Sequence, residues 1–424
     1  MKPKLIFSSL PYIATLRHFE RFIPYLKEKY DIAFLFIGEG TPRSKEAIEY
    51  CKKNNYTFYV INPHFAKDKK IRIPFVAPLY RRYAHSVQCR NFLDKVQPAA
   101  VIETKATPRR DTILKEANRK GVETVMMQWA ASSLRRTFLS KRVGRGLTLS
   151  LPRRVYLFLL KILSGILDIF YVEARFGLTP AKPKKIVLYD EDEAENGLGK
   201  GYDRSRIYVV GAPELQWASD LKEKIDADPL LKKTLLEKYS LSGEKIKIFV
   251  TLFRFYRLQP YVEGSMSVEE HVAHYQHLFE TIRGVFPDEE AEIMLKAHPS
   301  ENLAYKGATY EMYKPYEKLG VRIYHGDAKA DELICLSDLC ISDPYTSVNY
   351  MIAGSGVPAL SVNLSKLKTL NNAAPAFGTR QVVGDLDTLA GLLRQFKKEG
   401  SLPAGYNNTN VNVQSVDNFV KLLP

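Results

Sequence analysis

Two short motifs in the C-terminal half of the chain carry side chains that could bind an anion. The first is KAHP at 296–299 and the second is SDPYTS at 342–347. Each follows a short apolar run, which is where a strand of an open α/β sheet leads into a ligand-contacting loop. A cation, an imidazole and hydroxyls in such loops predict a site for phosphate oxygens. The candidate contacts are Lys296, His298, Thr346 and Ser347.

The same motifs also have structural interpretations that need no ligand. His298-Pro299 is typical of a plain turn, and Thr346-Ser347 is typical of a helix N-cap, where hydroxyls are preferred. A helix that starts there would still direct free backbone N–H groups and the positive end of its dipole at one point. His298 at a strand end is placed to donate to a phosphate oxygen or a leaving group, and Lys296 adds charge on the same face.

Apolar strands alternate with helix-spaced segments along the chain. Strand, helix, strand with short turns predicts a parallel sheet with helices on both faces. At 424 residues the chain exceeds the usual size of a single core. The alternation starts afresh at KIKIFVTL, so we predict an α/β protein of two Rossmann-like domains facing across a cleft. The predicted parts are a first domain at 1–210 with a basic amphipathic insertion at 132–176, a hinge at 211–244, and a second domain at 245–424.

The composition is that of a globular protein with a basic surface. Hydrophobic residues make up 45% and charged residues 26%, and the net charge of +15 favours an anionic partner such as nucleic acid, anionic lipid or a phosphorylated ligand. Four cysteines without CxxC spacing indicate buried thiols in a reducing compartment. The first apolar run is predicted as a strand rather than a signal peptide, and no apolar run predicts a transmembrane helix. We expect a cytoplasmic protein.

The segment 132–176 differs in kind from the alternating elements. Arginines and lysines surround the apolar stretch VYLFLLKILSGILDIFYV, which itself contains Lys161 and Asp168. Those internal charges favour a helix on a membrane surface over one that crosses it, and the basic flanks would attract anionic headgroups. Buried core helices or a site for a partner protein are the alternatives. The surface interpretation predicts peripheral contact with the inner face of a membrane.

The motifs resemble those of glycosyltransferases of the GT-B fold, which consists of two Rossmann-like domains. The nearer resemblance is to bacterial surface-polysaccharide transferases, including the CDP-glycerol glycerophosphotransferase, sialyltransferase and Kdo-transferase groups. KAHP is similar to their His-Pro motif, SDPYTS to their paired-hydroxyl motif, and GSGVP at 354–358 to the small-residue turn that follows. Where those enzymes often have Ser-Ser, this chain has Thr346-Ser347. The resemblance covers the second domain, and the first only in architecture.

The resemblance implies roles for several residues. Lys296, His298, Thr346 and Ser347 would hold the phosphates of a nucleotide-activated donor. Glu332 would contact the donor ribose, although an acidic residue in a first helical turn is also ordinary capping. The resemblance favours a CMP- or CDP-type nucleotide-sugar co-substrate over a UDP type. No DxD-type motif is evident in the sequence, so no metal and no other cofactor is expected.

Two further groups of residues follow the strand that opens the second domain. Arg254, with Thr251 beside it, is a candidate phosphate or ribose contact. His271, His274 and His277 are spaced along one predicted helix. Without an acidic partner at ligand spacing, these histidines indicate a solvated helix face rather than a metal site.

The base that activates an acceptor is expected on a loop at the end of a first-domain strand. His18 is the leading candidate, because the loop SLPYIATLRHFE resembles the first loop of GT-B enzymes in which a histidine deprotonates the acceptor hydroxyl. An exposed structural histidine is the alternative for His18. Glu103, at the end of AAVIE, and Asp190 to Glu193, in an acidic glycine-rich segment predicted as a loop, are competing candidates.

The expected function is transfer of a sugar, an acidic sugar or a glycerophosphate from a nucleotide-activated donor to a glycan or glycolipid acceptor, in capsule or lipopolysaccharide biosynthesis. One alternative is a nonhydrolysing UDP-sugar 2-epimerase, whose second domain is similar; the paired glutamates of such enzymes are replaced here by VNYMIAG. The other is a non-enzymatic binder of polyanions or nucleic acid. The basic residues concentrate in 132–161 rather than among exposed aromatics, so nucleic acid is not expected as a partner.

Overall fold

The structure is a computed structural model in which the chain forms two compact α/β units. Among the described residues, the first unit contains those up to Val210 together with Val416–Pro424, and the second contains those of Gly211–Ser415. The residues that the structure describes are 2–8, 10, 13–37, 42–62, 76–103, 111–128, 182–198, 202–251, 266–297, 308–325, 328–344, 346–365, 381–406 and 413–424.

A parallel sheet of seven strands forms the centre of the first unit. Its strands are β1 (Lys4–Ser8), β2 (Asp31–Ile37), β3 (Phe58–Ile61), β4 (Ala100–Glu103), β5 (Glu123–Met127), β6 (Lys185–Leu188) and β7 (Ile207–Val209). Their order is β3-β2-β1-β4-β5-β6-β7. The chain winds outward from β1 to β3 and then returns to β4, so the winding direction reverses between β1 and β4, which is where such sheets place ligands.

Helices cover both faces of this sheet and explain its nearly continuous apolar strands. They are α1 (Ile13–Glu20), α2 (Ile23–Leu26), α3 (Pro42–Lys53), α4 (Val76–Val96), α5 (Asp111–Arg119) and α6 (Glu191–Leu198). Leu93 of α4 and Ile113 of α5 pack in one core cluster with Ile6 of β1. Phe7, the next residue of β1, lies on the opposite face, where its ring centroid is 4.7 Å from that of Phe19 in α1.

The second unit repeats this architecture with six parallel strands. They are β8 (Ile246–Val250), β9 (Ala291–Lys296), β10 (Val321–Tyr324), β11 (Leu339–Ser342), β12 (Ala359–Val362) and β13 (Val382–Val383). The order β10-β9-β8-β11-β12-β13 places the reversal of winding between β8 and β11. The predicted fold class, two doubly wound parallel sheets, is confirmed.

Alternate residues of β8 pack against different helices of the second unit. These helices are α7 (Pro213–Ala227), α8 (Pro229–Lys238), α9 (Val268–Val285), α10 (Ala308–Glu317), α11 (Ala330–Cys335), α12 (Val348–Ser355) and α13 (Leu386–Glu399). Ile248 and Val250 share a core cluster with Tyr275 of α9, whereas Phe249 shares another with Ile352 of α12. Helix α9 therefore covers one face of the sheet and α12 the other.

Some segments differ from the sequence prediction for identifiable reasons. The loop predicted after β1 is already helical from Ile13, and the single helix predicted beyond it is split into α1 and α2. Pro24 has no N–H with which to continue α1. The acidic segment predicted as a loop forms α6, because the Asp190 side chain accepts from the backbone N–H of Glu193 at 2.8 Å and acidic residues favour a first helical turn.

Helical segments border the second unit in the sequence. The segment 211–244, predicted as a hinge, contains helices α7 and α8, and α7 packs on α12 within the second unit. Its role as a hinge stays a prediction. The final helix α14 (Ser415–Lys421) follows the second domain in sequence, but Val416–Pro424 pack with the first unit. The reason is an aromatic contact, in which the ring of Phe419 meets that of Phe22 edge-on at 5.3 Å.

Helix α12 approaches α7 so closely that only glycine fits at the contact. A Cβ atom at Gly354 would lie 2.1 Å from the backbone oxygen of Leu215. Alanine at this position would push the two helices apart, since the obstructing atom belongs to the backbone. The GSGVP turn predicted from sequence therefore has a packing role, and the αL conformation of Gly356 (φ 69°) ends the helix.

We expect Gly354→Ala to destabilise the protein by roughly 1–3 kcal/mol because the helices must separate. Gly391→Ala is the matched control, since Gly391 is also inside a helix and a Cβ atom there would meet nothing within 4 Å. That control should be neutral or stabilising by up to about 1 kcal/mol. Urea unfolding of both variants measures the difference, and equal stability of the two would contradict the close approach.

Candidate functional site

The candidate site of the second unit is centred where β8 and β11 end side by side. Val250 pairs with Ile341 in register. The backbone N–H of Thr251 then donates to the carbonyl of Ile341 at 3.0 Å. Thr251 and Asp343 are the first residues beyond these two strands, and both are buried. They lie at the reversal of winding, the position where open α/β sheets bind ligands.

The paired hydroxyls precede helix α12, which leaves this edge of the sheet. Ser347 is the N-cap residue of α12, is exposed, and makes no capping hydrogen bond with its side chain. Thr346 is half-buried, and its hydroxyl accepts from the N–H of Val348 at 3.4 Å, which is a long contact. A serine at an N-cap normally accepts from the helix, but Ser347 does not, so its hydroxyl remains available to an anion beside the positive end of the helix dipole. The N–H groups of Asn349 and Tyr350 already donate to the carbonyls of Thr346 and Ser347.

Lys296 is the last residue of β9, the strand next to β8. It is half-buried, and its Nζ donates to the carbonyl of Ala297 at 3.2 Å. The predicted lysine and the predicted hydroxyls thus lie at the same carboxyl edge of one sheet. His298 and Arg254, predicted for the same site, lie outside the described residues, as do Tyr345, Arg257 and the insertion 132–176.

Glu332 is buried at the start of α11 and is held by its neighbours. Lys238 and Tyr239 each contact its Oε2 at 2.5 Å, and the ammonium of Lys329 lies 3.2 Å from Oε1. Burial alone would raise the pKa of Glu332, but hydrogen bonds from Lys238 and Tyr239 and the charge of Lys329 hold this pKa below its ordinary value. The arrangement ties α8 to α11, and a ribose contact by Glu332 stays a prediction.

Glu103 lies beside the reversal of winding in the first sheet, at the position that the end of β11 occupies in the second sheet. It ends β4, pairs in register with Ser8 at the end of β1, and is fully buried. The Ser8 hydroxyl donates to the carbonyl of Ile102 at 3.3 Å. A carboxylate at the reversal of winding lies where open α/β sheets place ligand-contacting groups, and a role for Glu103 as the base stays a prediction.

His18 lies on helix α1 and not on a loop. Its ring contacts Phe19 and Phe22 edge-on, at 5.6 and 5.8 Å between centroids. Burial, with a contribution from the charge of Arg21, lowers the pKa of His18 to about 3. The imidazole is therefore neutral at pH 7 and a weaker base than an ordinary histidine. Both assignments stay predictions.

The acidic residues at 190–193 serve the start of α6. Asp190 caps the helix, and Glu193 is buried on it. Glu191 forms an exposed ion pair with Arg204 at 3.2 Å. These contacts account for the acidic run as helix capping, and a role as acceptor base stays a prediction.

Helix α9 contributes residues that the sequence analysis did not assign to the site. His271 is buried, so the expected solvated face holds for the exposed His277 but is wrong for His271. The buried hydroxyl of Tyr275 donates to the Asp343 carboxylate at 2.9–3.0 Å. Within the described residues, no group of three metal-ligating side chains is placed to hold an ion. The alternation of buried and exposed positions along α9 was the available signal, but it does not identify Asp343 as the partner.

Comparison with known proteins supports the fold. Solved structures match the whole chain, including UDP-GlcNAc 2-epimerase from Methanocaldococcus jannaschii, at 13% identity and a TM-score of 0.55, covering 100% of this chain and 99% of that one. UDP-GlcNAc 2-epimerase from Neisseria meningitidis bound to UDP-GlcNAc matches at 11% identity and a TM-score of 0.52, covering 99% and 100%. The GT-B fold predicted from sequence is confirmed. No family model matches the sequence, and no curated protein matches it.

Among the helices that the structure describes, none combines the length and apolar character needed to cross a membrane. The surface-helix interpretation of 132–176 concerns residues outside the described part of the chain, and it stays a prediction.

The buried histidine of α9 should make stability depend on pH. Burial, with a contribution from the charge of His274, lowers the pKa of His271 from 6.5 to about 3. Between these values the unfolded chain binds a proton that the folded chain excludes, so stability falls as the pH drops below 6.5. At pH 5 the loss from this one group is roughly 2 kcal/mol relative to pH 7.

We expect His271→Phe to remove most of the contribution of His271 to the pH dependence of stability. The measurement is the difference in unfolding free energy between pH 7 and pH 5. His277→Phe, on the exposed side of the same helix, is the matched control and should keep the pH dependence of the unchanged protein. An unaltered pH dependence in His271→Phe would contradict the assignment.

Proposed function

We propose that this protein is a transferase that moves a glycosyl or glycerophosphoryl group from a nucleotide-activated donor to a hydroxyl acceptor. The observation that carries the proposal is the start of α12, where the exposed Ser347 hydroxyl makes no capping bond. The sheet edge beside it also presents Lys296. The phosphate of the departing nucleotide would gain hydrogen bonds from the hydroxyls and the ammonium, and would be stabilised by the positive end of the helix dipole, as its charge develops.

The roles of the residues follow from this chemistry. Lys296, Thr346 and Ser347 would hold the donor phosphates and neutralise the leaving group, with His298 and Arg254 as further proposed contacts. Glu103 would accept the proton of the acceptor hydroxyl while the acceptor oxygen forms a bond to the transferred group. The bond between that group and the departing nucleotide breaks in the same reaction. A CMP- or CDP-type donor is preferred on the resemblance of the motifs, and a glycan or glycolipid is the proposed acceptor.

A 2-epimerase is the second candidate function, and the solved structures that match the chain favour it. UDP-GlcNAc 2-epimerases match over the full length with TM-scores above one half. Against it, helix α12 has no acidic residue in its first turn. The paired glutamates that the epimerase resemblance would require at this helix are absent from the sequence Val348–Ser355. The two functions are separable by product, since an epimerase converts UDP-GlcNAc without an acceptor.

Two N-cap serines of the second unit provide a matched test of the donor site. Ser347 caps nothing, whereas Ser267 forms a complete capping box with Glu270 at the start of α9. We expect Ser347→Ala to weaken binding of CDP or UDP by about tenfold without lowering stability, because a hydrogen bond to a charged oxygen is lost. Ser267→Ala should instead lower stability by about 1 kcal/mol and leave nucleotide affinity unchanged.

Calorimetric titration and thermal unfolding measure both quantities. Nucleotide binding that is unaffected by Ser347→Ala would place the phosphates elsewhere. If CMP, CDP and UDP all fail to bind to the unchanged protein or to raise its melting temperature, the proposed function is wrong.

The two candidate bases give opposite expectations for turnover of a bound nucleotide-activated donor. We expect Glu103→Gln to lower turnover by about a hundredfold or more with little change in nucleotide affinity, since a general base contributes on that scale. His18→Gln should lower it by less than about tenfold, given the weak basicity of a buried imidazole. Donor consumption, followed by chromatography for both variants, decides between them, and the reverse order would assign the base to His18.

A further inference from the structure

A small cavity lies beside the candidate phosphate site of the second unit. Its apolar lining includes Val362 and Leu364, and its polar lining consists of Thr251, His274, Tyr275, Ser342 and Asp343. We call this cavity the inner pocket. It joins the ends of β8, β11 and β12 to the side of α9 that faces the sheet. It is therefore adjacent to the start of α12 but reaches toward the opposite face of the sheet.

One polar atom of the inner pocket lacks a partner among the described residues. The Thr251 hydroxyl is buried, with the residue only 8% exposed, and it has no hydrogen-bond partner there. Buried hydroxyls are nearly always hydrogen-bonded, to protein groups or to ordered water, so the Thr251 hydroxyl at the cavity wall has hydrogen-bonding capacity that a ligand group can use. A hydroxyl can donate one hydrogen bond and accept others, so this atom does not by itself choose the ligand.

The remaining polar groups of the inner pocket restrict the ligand. Asp343 presents a carboxylate, which accepts hydrogen bonds from hydroxyls and repels anions. Burial, with a contribution from the charge of His277, lowers the pKa of His274 to about 4, so this imidazole is neutral at pH 7 and adds no positive charge to attract an anion. A carboxylate among neutral polar groups suits an uncharged ligand that carries hydroxyls.

We propose that the inner pocket binds a hydroxyl of the sugar or polyol attached to the donor phosphates and that it selects donors in which this sugar or polyol is neutral over donors that carry a sugar acid. This inference rests on the proposed function, since it assigns the diphosphate to Lys296, Thr346 and Ser347. Thr251 and Asp343 then determine specificity for the group attached to that diphosphate. An acidic sugar would bring its carboxylate toward that of Asp343.

The test compares binding of whole donors with binding of their nucleotides. CDP-glycerol and UDP-GlcNAc serve as donors whose polyol or sugar is uncharged, which we call neutral donors. CMP-sialic acid serves as the donor with a sugar acid, and CDP, UDP and CMP serve as the nucleotides alone. Thr251→Val removes the hydroxyl at nearly constant shape, and Thr251→Ser keeps a hydroxyl as the matched control. Removing an unpaired buried hydroxyl should not lower the melting temperature, which checks folding independently of binding.

We expect Thr251→Val to weaken binding of the preferred neutral donor by about five- to tenfold and to leave affinity for its nucleotide unchanged, which is the scale of one neutral hydrogen bond. Thr251→Ser should bind the donor within about twofold of the unchanged protein, within the same hydrogen-bond argument. Asp343→Asn should improve binding of CMP-sialic acid relative to CMP, because the repelling charge is removed.

Three outcomes overturn the inference while leaving the proposed function in place. They are donor affinity unaffected by Thr251→Val, equal loss of donor and nucleotide in that variant, and tighter binding of CMP-sialic acid than of either neutral donor by the unchanged protein. Absence of binding by every nucleotide and every donor has a different meaning. It would overturn the proposed function, and the inference with it.

Discussion

The parallel pairing of β8 with β11 is the constraint on which the candidate site depends. The Thr251 N–H bond to Ile341 continues this pairing past the end of β8. Because winding reverses there, the helices that follow the two strands cover different faces of the sheet, α9 on one and α12 on the other. In open α/β sheets such a reversal leaves the strand ends open to a ligand. The first unit repeats the arrangement between β1 and β4, where Ser8 pairs with Glu103. In both units, topology decides where polar groups can meet a ligand.

Helix α12 combines tight packing at one end with a serine hydroxyl that makes no capping bond at the other. Gly354 lets its C-terminal part rest on the backbone of α7, and Ile352 fixes it to the core beneath the sheet. Helices α9 and α13 begin with side-chain caps from Ser267 and Asp385, whereas α7, α11 and α12 begin without one. Among the uncapped helices, α12 has an N-cap residue, Ser347, of a type that normally supplies the cap. A hydroxyl that is left out of capping on a rigidly held helix is suited to binding an anion, since it needs no rearrangement.

Most of the fold could be predicted from the sequence because its strands are short apolar runs separated by helix-spaced segments, a pattern set locally. Lys296, Thr346 and Ser347 could be placed at one sheet edge for the same reason. Contacts between distant residues could not. Tyr275 and Asp343 meet only through tertiary packing, and the burial of His271 depends on which side of α9 faces the sheet. The aromatic contact of Phe419 with Phe22 likewise joins opposite ends of the chain, which no local pattern reveals.

The net charge of the protein is positive, whereas its candidate site contains a carboxylate. A net charge of +15 attracts anionic ligands over a distance. At the sheet edge, however, the carboxylate of Asp343 lies close in sequence to the proposed phosphate contacts. Two like charges about 4 Å apart repel by roughly 4 kcal/mol at an effective dielectric constant near 20. Tyr275 donates to both oxygens of Asp343 and draws the carboxylate toward α9. The hydroxyl pair belongs to α12, which covers the opposite face. Under the proposed assignment, that separation would let one short segment contact an anion on one side and ligand hydroxyls on the other.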